Sequence, residues 1–404
     1  MGNKIIKGYK YRIYPTEEQS KQIDQQFDLF RFVYNWGIAK EQEIYEQYKN
    51  GLSDKKFYTF IDLCNIYTIE RKNNPKLKWL KKFGMGVPRN ALKNVVFGYK
   101  LYFNKVNNIP HFKKKNKCKK SFSTRKDTFK IKDNCIKIEG VNTLIPLGFN
   151  SNFFINENYK SRSYAINPVI TKDNLDNYYV SFSMEEEVVG LPLPKTEGIG
   201  IDLGVRRTFT LSNGEIYNQP KEKLDRLENK RRKQQRHVTR DINRRLEESY
   251  RTKTKYEDIP KSKRAIKREI KLNKIYRKIH NIKDTFYHTI TKKIVDMKPE
   301  YVCMETFSVT GLCVDDKRMY KILDNVSFYD IIEKMKYKCE EKNIPFIQAP
   351  RSFASTKICN NCGHKKNMNG KHVYKCPVCG MIEDRDINAA INLKNYGYNY
   401  LITQ

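Results

Sequence analysis

Hydrophobic and polar residues alternate along residues 4–14, and this alternation predicts a β-strand. Its basic and apolar residues fall on opposite faces: Lys10 and Arg12 on one, and Tyr9, Tyr11 and Ile13 on the other. A helix is predicted to begin after the strand, because Thr16 and Gln19 have the spacing of a capping box. Further helical patterns occupy residues 57–71 and 88–103, and we interpret their aromatic residues as core.

The pattern changes after residue 104. Residues 110–120 form a basic run with little to bury, which is either a solvated face or a surface that contacts phosphates. Short alternating segments follow, and they predict strands at 129–132, 135–139, 143–147 and 178–184. The first half is therefore predicted to be a β-rich module with a helical insertion after its first strand. Prolines at 192 and 194 mark a linker and a domain boundary.

The second half opens with a predicted buried strand at 197–204. One charged residue, Asp202, lies near the end of this strand. A hairpin follows, with strands at 208–211 and 215–217 joined by an Asn-Gly turn. The next predicted elements are a charged helical region at 221–283, an amphipathic helix at 285–297, a strand at 300–305 ending in Glu305, a helix at 327–342, a strand at 345–348 and a helix after Asp386. This order is the plan of an RNase H-like α/β domain.

Three acidic residues occupy related positions in this plan. Asp202 and Glu305 would lie side by side on neighbouring strands, and the C-terminal helix would bring Asp386 to them. Converging carboxylates repel one another unless divalent cations hold them, and a pair of Mg²⁺ ions about 3.5–4 Å apart would suit phosphodiester cleavage. The alternative is an ordinary ion pair or helix cap for each acid. Glu383 and Asp384 compete for the third position, although both are better placed to cap the helix.

Two Cys-x-x-Cys pairs precede that helix. They are Cys359/Cys362 and Cys376/Cys379, separated by thirteen residues, and each is followed by glycine. The two-residue gap aims both sulfurs of a pair at one ion, so a structural Zn²⁺ site is predicted, with disulfides or chance as the alternatives. The remaining cysteines have no framework spacing, which is typical of a reducing compartment.

The formal net charge is +34, from 79 Lys and Arg against 45 Asp and Glu. Such an excess favours a polyanionic partner, above all nucleic acid, with a membrane surface as the second choice. No apolar run approaches the roughly 20 residues that a membrane span requires. The first residues also lack the apolar region of a signal peptide, so we expect a cytoplasmic protein.

Taken together, these motifs resemble the RuvC nuclease core of the TnpB (OrfB) proteins, which are transposon-encoded relatives of the compact type V CRISPR effectors. The strings that carry the resemblance are Gly200-Ile-Asp202-Leu-Gly204-Val, Val302-Cys-Met-Glu305, the four-cysteine ribbon and Asp384-Arg-Asp386-Ile-Asn388-Ala-Ala. N-terminal strings resemble the same family: Tyr9-Lys-Tyr-Arg-Ile-Tyr-Pro15, Arg31-Phe-Val-Tyr34-Asn35-Trp, Pro110-His-Phe-Lys and Ser121-Phe122. The likeness therefore covers nearly the whole chain.

The chain departs from the family pattern at two places. Thr306-Phe307 follows Glu305 where an acidic residue and Leu are common, and Ala354 precedes Ser355-Thr356 where Pro is common. Neither departure falls on an expected metal ligand, although either could change loop geometry.

The resemblance implies an RNA-guided DNA endonuclease. Such a protein binds a structured guide RNA from the transposon end, checks a short motif beside its double-stranded DNA target, and cleaves at a RuvC site. By resemblance, Asp202, Glu305 and Asp386 are the catalytic residues and hold Mg²⁺. A guide-directed DNA-binding regulator, or an accessory protein of transposition without essential cleavage, is the alternative, and the presence of all three acids favours the nuclease.

The resemblance also implies a domain plan. A β-rich wedge module is expected at 1–15 and 105–190, a helical recognition insertion at 16–104, a RuvC-like nuclease at 195–356 and 381–404, and a zinc ribbon at 357–380. Nucleic-acid contacts are expected at Lys10, Arg12, Arg31 and Tyr34. A monomer and a dimer remain equally open, as does the choice between a mobile-element protein and a small CRISPR effector.

Overall fold

A computed structural model describes residues 4–115, 117–132, 134–148, 166–187, 196–306, 327–368 and 372–403. The chain divides into two compact units: an N-terminal unit, Ile6–Glu186, and a C-terminal unit, Glu187–Gln404 with Met1–Ile5. The linker predicted at 192–194 lies outside the described residues. The finer four-domain division stays a prediction.

The N-terminal unit combines long helices with two small sheets. Its elements are β1 (Lys4–Ile13), α1 (Glu17–Lys49), α2 (Phe60–Asn73), α3 (Gly86–Phe103), β2 (Lys120–Ser123), β3 (Lys130–Lys132), β4 (Cys135–Lys137), β5 (Ile145–Pro146), β6 (Ile166–Lys172) and β7 (Tyr178–Glu187). One sheet has the strand order β1-β7-β6-β2 and the other β3-β4-β5.

Local sequence signals explain how the first elements begin. The capping box is confirmed, because the Gln19 amide donates to Thr16 Oγ1 at 3.3 Å and the Thr16 amide to Gln19 Oε1 at 2.8 Å. The predicted faces of β1 are also confirmed: Lys10 and Arg12 are exposed, whereas Ile13 is buried.

Strands β2 and β6 were not predicted from the sequence. Strand β2 has four residues and begins inside the basic run, with Lys120 opposite Lys172 of β6. Its pairing partner lies more than forty residues away in the chain, so no local alternation could reveal it. The strand predicted at 143–147 is shorter than expected, at Ile145–Pro146.

The C-terminal unit is an α/β domain with a separate two-stranded ribbon. Its elements are β8 (Ile199–Leu203), β9 (Phe209–Leu211), β10 (Ile216–Tyr217), α4 (Lys221–Thr252), α5 (Lys263–Asp296), β11 (Val302–Glu305), α6 (Phe328–Glu341), β12 (Phe346–Ala349), β13 (Val373–Lys375), β14 (Ile382–Asp384) and α7 (Arg385–Ile402). The main sheet has the order β10-β9-β8-β11-β12. Strands β8, β11 and β12 are parallel, and β9 is antiparallel to β8.

The prediction of one helical region at 221–283 and a separate helix at 285–297 was wrong. Two long helices cover this part of the chain, and the break lies at 253–262. Lys253 ends α4 in the left-handed region at φ +53°, and Pro260 cannot continue a helix. Ser262 then caps α5 by accepting the Ala265 amide at 3.1 Å. No helix within the described ranges is long and apolar enough to cross a membrane.

Helices cover both faces of the main sheet. Ile201 and Met304 point to one face, where they belong to one core cluster with residues of α5 and α6. Cys303 points to the other face and shares a core cluster with Leu393 of α7. A Cβ atom at Gly200 would overlap the Ala390 carbonyl oxygen, so glycine lets α7 lie directly on β8.

Candidate functional site

The main sheet brings Asp202 and Glu305 together. In the parallel register of β8 and β11, Met304 lies opposite Ile201, so the next pair along the strands is Glu305 and Asp202. Successive side chains alternate between the faces of a strand. The two carboxylates therefore share the face on which α7 packs, as the sequence predicted.

Helix α7 supplies the third acid. Its N-cap is Asp384, whose Oδ1 accepts the amides of Asp386 at 2.9 Å and Ile387 at 3.3 Å. The expectation that Asp384 caps this helix is therefore confirmed. Asp386 lies in the first turn, and its carboxylate is close enough to Asp202 to act on its pKa.

Asp202 is a buried carboxylate, and no residue that the structure describes pairs with it. Its side chain is 9% exposed, and among the described residues no donor or cation forms a hydrogen bond or ion pair with it. Burial raises the pKa of Asp202 well above its ordinary value, and the carboxylates of Glu305 and Asp386 raise it further. An isolated buried carboxylate of this kind is costly unless a cation binds it.

Glu305 accepts a hydrogen bond from one described residue, Ser355. Burial raises the pKa of Glu305, while the hydroxyl of Ser355, which donates to its Oε1, acts in the opposite direction. Ser355 is itself buried and follows β12, so its hydroxyl is held in place by the surrounding fold.

Arginine side chains surround Asp386. The Arg385 guanidinium donates to Asp386 Oδ1 at 2.8 and 3.0 Å, and Arg207 Nη1 lies 3.9 Å from Oδ2. Arg207 also lies 2.8 Å from Asp384 Oδ1. Burial alone would raise the pKa of Asp384, but Arg207 and the helix amides lower it on balance. The guanidinium groups of Arg385 and Arg207 thus compensate the negative charge of Asp386.

Two asparagines of α7 tie the acid site to the first cysteine pair. Asn392 Nδ2 donates to the carbonyl oxygens of Ser355 at 2.8 Å and Ile358 at 2.7 Å. Asn388 Nδ2 also donates to Ile358 at 2.7 Å, and its Oδ1 accepts the amide of Asn360 at 3.0 Å. Sequence reasoning assigned no role to these residues. The sequence did contain a signal for them: two asparagine side chains, four residues apart, lie on the apolar side of a helix, and buried amides of this kind need hydrogen-bond partners.

The four cysteine sulfurs form a compact cluster. Sγ atoms of Cys359 and Cys379 lie 3.6 Å apart, and those of Cys362 and Cys376 lie 3.5 Å apart. A tetrahedral site with Zn–S bonds of about 2.3 Å requires sulfurs about 3.8 Å apart, so the cluster fits zinc. The pKa values of the thiols move in different directions. The Met381 amide and the Asn361 side chain are the main groups that lower the pKa of Cys379, to about 6, whereas burial and the neighbouring thiols raise the pKa of Cys362 to about 12.

The two cysteine knuckles have the turn geometry expected from sequence. Gly363 and Gly380 follow the knuckles in the left-handed region, at φ +74° and +72°. Their amides donate to the carbonyl oxygens of Cys359 at 2.9 Å and Cys376 at 3.2 Å. Across the described parts of the chain, the four cysteines are the only group of three or more metal-binding side chains whose ligand atoms all lie within 4.8 Å of one another. The three carboxylates are therefore more widely spaced.

The four predicted nucleic-acid contacts all lie in the N-terminal unit. Lys10 Nζ lies 5.0 Å from the ring centroid of Tyr179, and Arg12 donates to Asn177 Oδ1. Arg31 pairs with Asp28 at 3.1 Å, and the ring of Tyr34 contacts Lys113. Whether any of them contacts nucleic acid stays a prediction.

Comparison with known proteins gives two family matches. Residues 328–393 match the model of the Cas12f1-like TNB domain, and residues 1–50 match a helix-turn-helix model of OrfB proteins of IS605 elements. In this structure residues 4–50 contain one strand and one long helix, α1, rather than two helices.

Relatives align over nearly the full length of the chain. A Streptomyces pristinaespiralis protein named "Putative RNA-guided DNA endonuclease" is 23% identical over 97% of this chain and 90% of its own. An Escherichia coli (strain K12) protein with the same name and the suffix InsQ is 23% identical over 98% of this chain and 94% of its own. CRISPR-associated endodeoxyribonuclease Cas12f1 of Sulfoacidibacillus thermotolerans is 28% identical over 56% of this chain and 51% of its own.

A solved structure has a related fold. The Cas12f1 chain of a complex with single guide RNA and target DNA superposes with a TM-score of 0.54 and 13% identity, covering 97% of this chain and 99% of that one. At this identity the likeness concerns the fold alone. With family matches at both ends, relatives along the whole length and shorter matches to proteins named TnpB-like, the chain is similar to the TnpB (OrfB) proteins.

Proposed function

We propose that this protein is an RNA-guided DNA endonuclease that cleaves through a divalent-metal site formed by Asp202, Glu305 and Asp386. The observation that carries the proposal is the convergence of three carboxylates from distant parts of the chain on the α7 face of one sheet. The strand order β10-β9-β8-β11-β12 supports an RNase H-like core of the RuvC type. Full-length relatives named as RNA-guided DNA endonucleases support the same activity.

The donor set fits Mg²⁺, which prefers carboxylate oxygens. Asp202 has no partner among the described residues, whereas Asp386 would exchange its contact with Arg385 for a metal contact. Three carboxylates offer enough oxygen ligands for a pair of ions, as phosphodiester cleavage by two metals requires. Bound there, such a pair supplies an activated water and stabilises the leaving 3′ oxygen in an in-line attack.

Neighbouring residues have supporting roles in this proposal. Ser355 orients the Glu305 carboxylate through its hydroxyl. The guanidinium of Arg385, released from Asp386, lies beside the site and suits a phosphate oxygen. We further infer that the four cysteines hold a structural Zn²⁺. Four protein ligands leave no open position for a catalytic water.

Basic surfaces support the nucleic-acid partners. A cavity of about 750 Å³ lies between α4 and α5, and its lining includes Lys223, Lys274 and Lys278. Such a surface suits the phosphate backbone of a guide RNA, a target DNA or their heteroduplex. Base pairing would then read the sequence, while the protein needs only backbone contacts and a short motif check.

Cleavage by the purified protein–RNA complex tests the proposal. With Mg²⁺ and a duplex that matches the co-purifying RNA, Asp202→Ala and Glu305→Ala should reduce cleavage to background while affinity for both nucleic acids stays close to wild type. Glu197→Ala is the matched control, because it removes an exposed carboxylate of the same unit. Wild-type cleavage rates in either site variant would refute the assignment. A wild type that binds RNA and target without cutting would favour the regulator instead.

A further inference from the structure

Lys113, in the basic run of the N-terminal unit, holds its ammonium group against two aromatic rings of α1. Its Nζ lies 4.0 Å from the ring centroid of Tyr34 and 4.8 Å from that of Phe30. The side chain of Asn35 fixes the backbone, accepting the Lys113 amide at 2.8 Å and donating to its carbonyl oxygen at 3.0 Å. The position of Lys113 is therefore built into the fold rather than left to a flexible loop.

No carboxylate of a described residue forms an ion pair with this lysine. In the parts of the chain that the structure describes, no acidic group lies within 4.0 Å of Lys113 Nζ, and the two nearby acids have other partners. Asp24 pairs with Lys172 at 2.9 Å, and Asp28 pairs with Arg31 at 3.1 Å. Burial lowers the pKa of Lys113, because the folded surroundings disfavour its charge.

Lys113 is one of the residues that line a concave site. A pocket of about 250 Å³ is lined by five cationic residues and two acidic ones, Asp24 and Asp28. The cationic residues are Arg31, Lys113, Lys115, Lys119 and Lys120. The excess of positive charge would attract an anion into the pocket.

We propose that this pocket binds one phosphodiester group of a nucleic-acid backbone, with Lys113 as its central contact. This inference rests on the proposed function in taking nucleic acid as the partner. A phosphodiester matches the site because it brings a single compact negative charge, which lysine binds as a point charge. The pocket also has room for the adjoining sugar. The group comes either from the bound RNA or from duplex DNA, which share this chemistry.

The competing explanation is a structural lysine that fastens the basic run to α1 by cation–π contacts. The two explanations differ in what Lys113→Met should do. Methionine keeps the apolar contact with the rings and removes a charge that the fold disfavours. On our proposal the melting temperature is therefore unchanged or higher, while nucleic-acid affinity falls. A purely structural lysine predicts a lower melting temperature with unchanged affinity.

The experiment measures affinity for two probes without added Mg²⁺: the RNA that co-purifies with the wild type, and a random-sequence duplex DNA. For the probe that enters the pocket, Lys113→Met should lower affinity about tenfold, the size of one good phosphate contact. The slope of log affinity against log salt should become shallower by about 0.9 for duplex DNA, or about 0.7 for a single strand. The probe that responds identifies the source of the phosphodiester.

Lys114→Met is the matched control, because Lys114 is exposed, adjacent and outside the pocket lining. It removes the same charge and should change affinity much less. Lys113→Arg keeps the charge and should retain most of the binding. Equal effects of Lys113→Met and Lys114→Met on both probes would overturn the inference. A wild type that binds both probes but never cleaves would instead refute the proposed function, so the two failures are distinguishable.

Discussion

Replacing Asp202 by asparagine should stabilise the protein in the absence of magnesium. Asp202 is buried, has no hydrogen bond or ion pair among the described residues, and faces the carboxylates of Glu305 and Asp386. Asparagine has nearly the same shape without the charge. The same substitution removes a proposed metal ligand, so stability and cleavage should change in opposite directions.

The size of the effect follows from the raised pKa. A group whose pKa is higher in the folded state contributes stability that is fully present below its unfolded pKa and is lost as the pH rises through the folded pKa. For Asp202 that loss begins near the ordinary carboxyl pKa of about 3.9 and amounts to about 1.4 kcal/mol for each pH unit until the folded pKa is reached. Asparagine avoids this loss, so its advantage over the wild type should grow with pH and then level off.

Native-state hydrogen exchange on peptides of β8 and α7 measures this locally, because it reports the opening free energy of these elements. Wild type and Asp202→Asn would be compared from about pH 5.5 to about pH 8, with exchange rates corrected for pH. The buffers should contain no chelator, because zinc would be stripped from the cysteines. Added Mg²⁺ should then protect the wild type and not the variant. A variant that is less stable than the wild type across this pH range would contradict the picture of Asp202 as a buried carboxylate that destabilises the fold when ionised.

Two further substitutions test the packing of α7. Cys376→Ser should lower the zinc content measured by mass spectrometry. It should also speed hydrogen exchange at the start of α7, because the side chain of Asn388 in α7 is hydrogen-bonded to the first cysteine knuckle, at Ile358 and Asn360. Cys135→Ser, which lies outside the cluster, should change neither. A stable wild type without zinc would rule out the metal centre. Gly200→Ala should destabilise the C-terminal unit by about 1–3 kcal/mol through overpacking and reduce cleavage. Gly8→Ala, where a Cβ meets nothing, is its control, and equal stability of the two variants would argue against the close approach of α7.

Much of the site could be predicted because its signals are local. Two apolar segments, each with a single carboxylate near its end, predicted buried strands that end at Asp202 and Glu305, and the order of elements made those strands neighbours. The cysteine spacing and the following glycines predicted the knuckles, and the clustered sulfurs confirm that the four cysteines come together. The break between α4 and α5 was missed, although Pro260 was a usable signal, because the dense charges on both sides read as one continuous helix.

Other features depended on distant partners. The β2–β6 pairing joins segments that carry little pattern of their own. The side-chain hydrogen bonds of Ser355, Asn388 and Asn392 are made to residues that lie between 28 and 50 positions away. The importance of Lys113 follows from the rings above which it lies and from the carboxylates that are engaged elsewhere.

The amino-acid sequence by itself therefore determined which elements form and which side chains carry chemistry, because propensity, periodicity, capping and ligand spacing act over a few residues. Only the tertiary structure decided which of those side chains are without partners and which hold one another in place. Whether a side chain finds a hydrogen-bond or ion-pair partner depends on the relative positions of elements far apart in the chain. Burial in the folded state is what makes a charge at Asp202 or Lys113 costly.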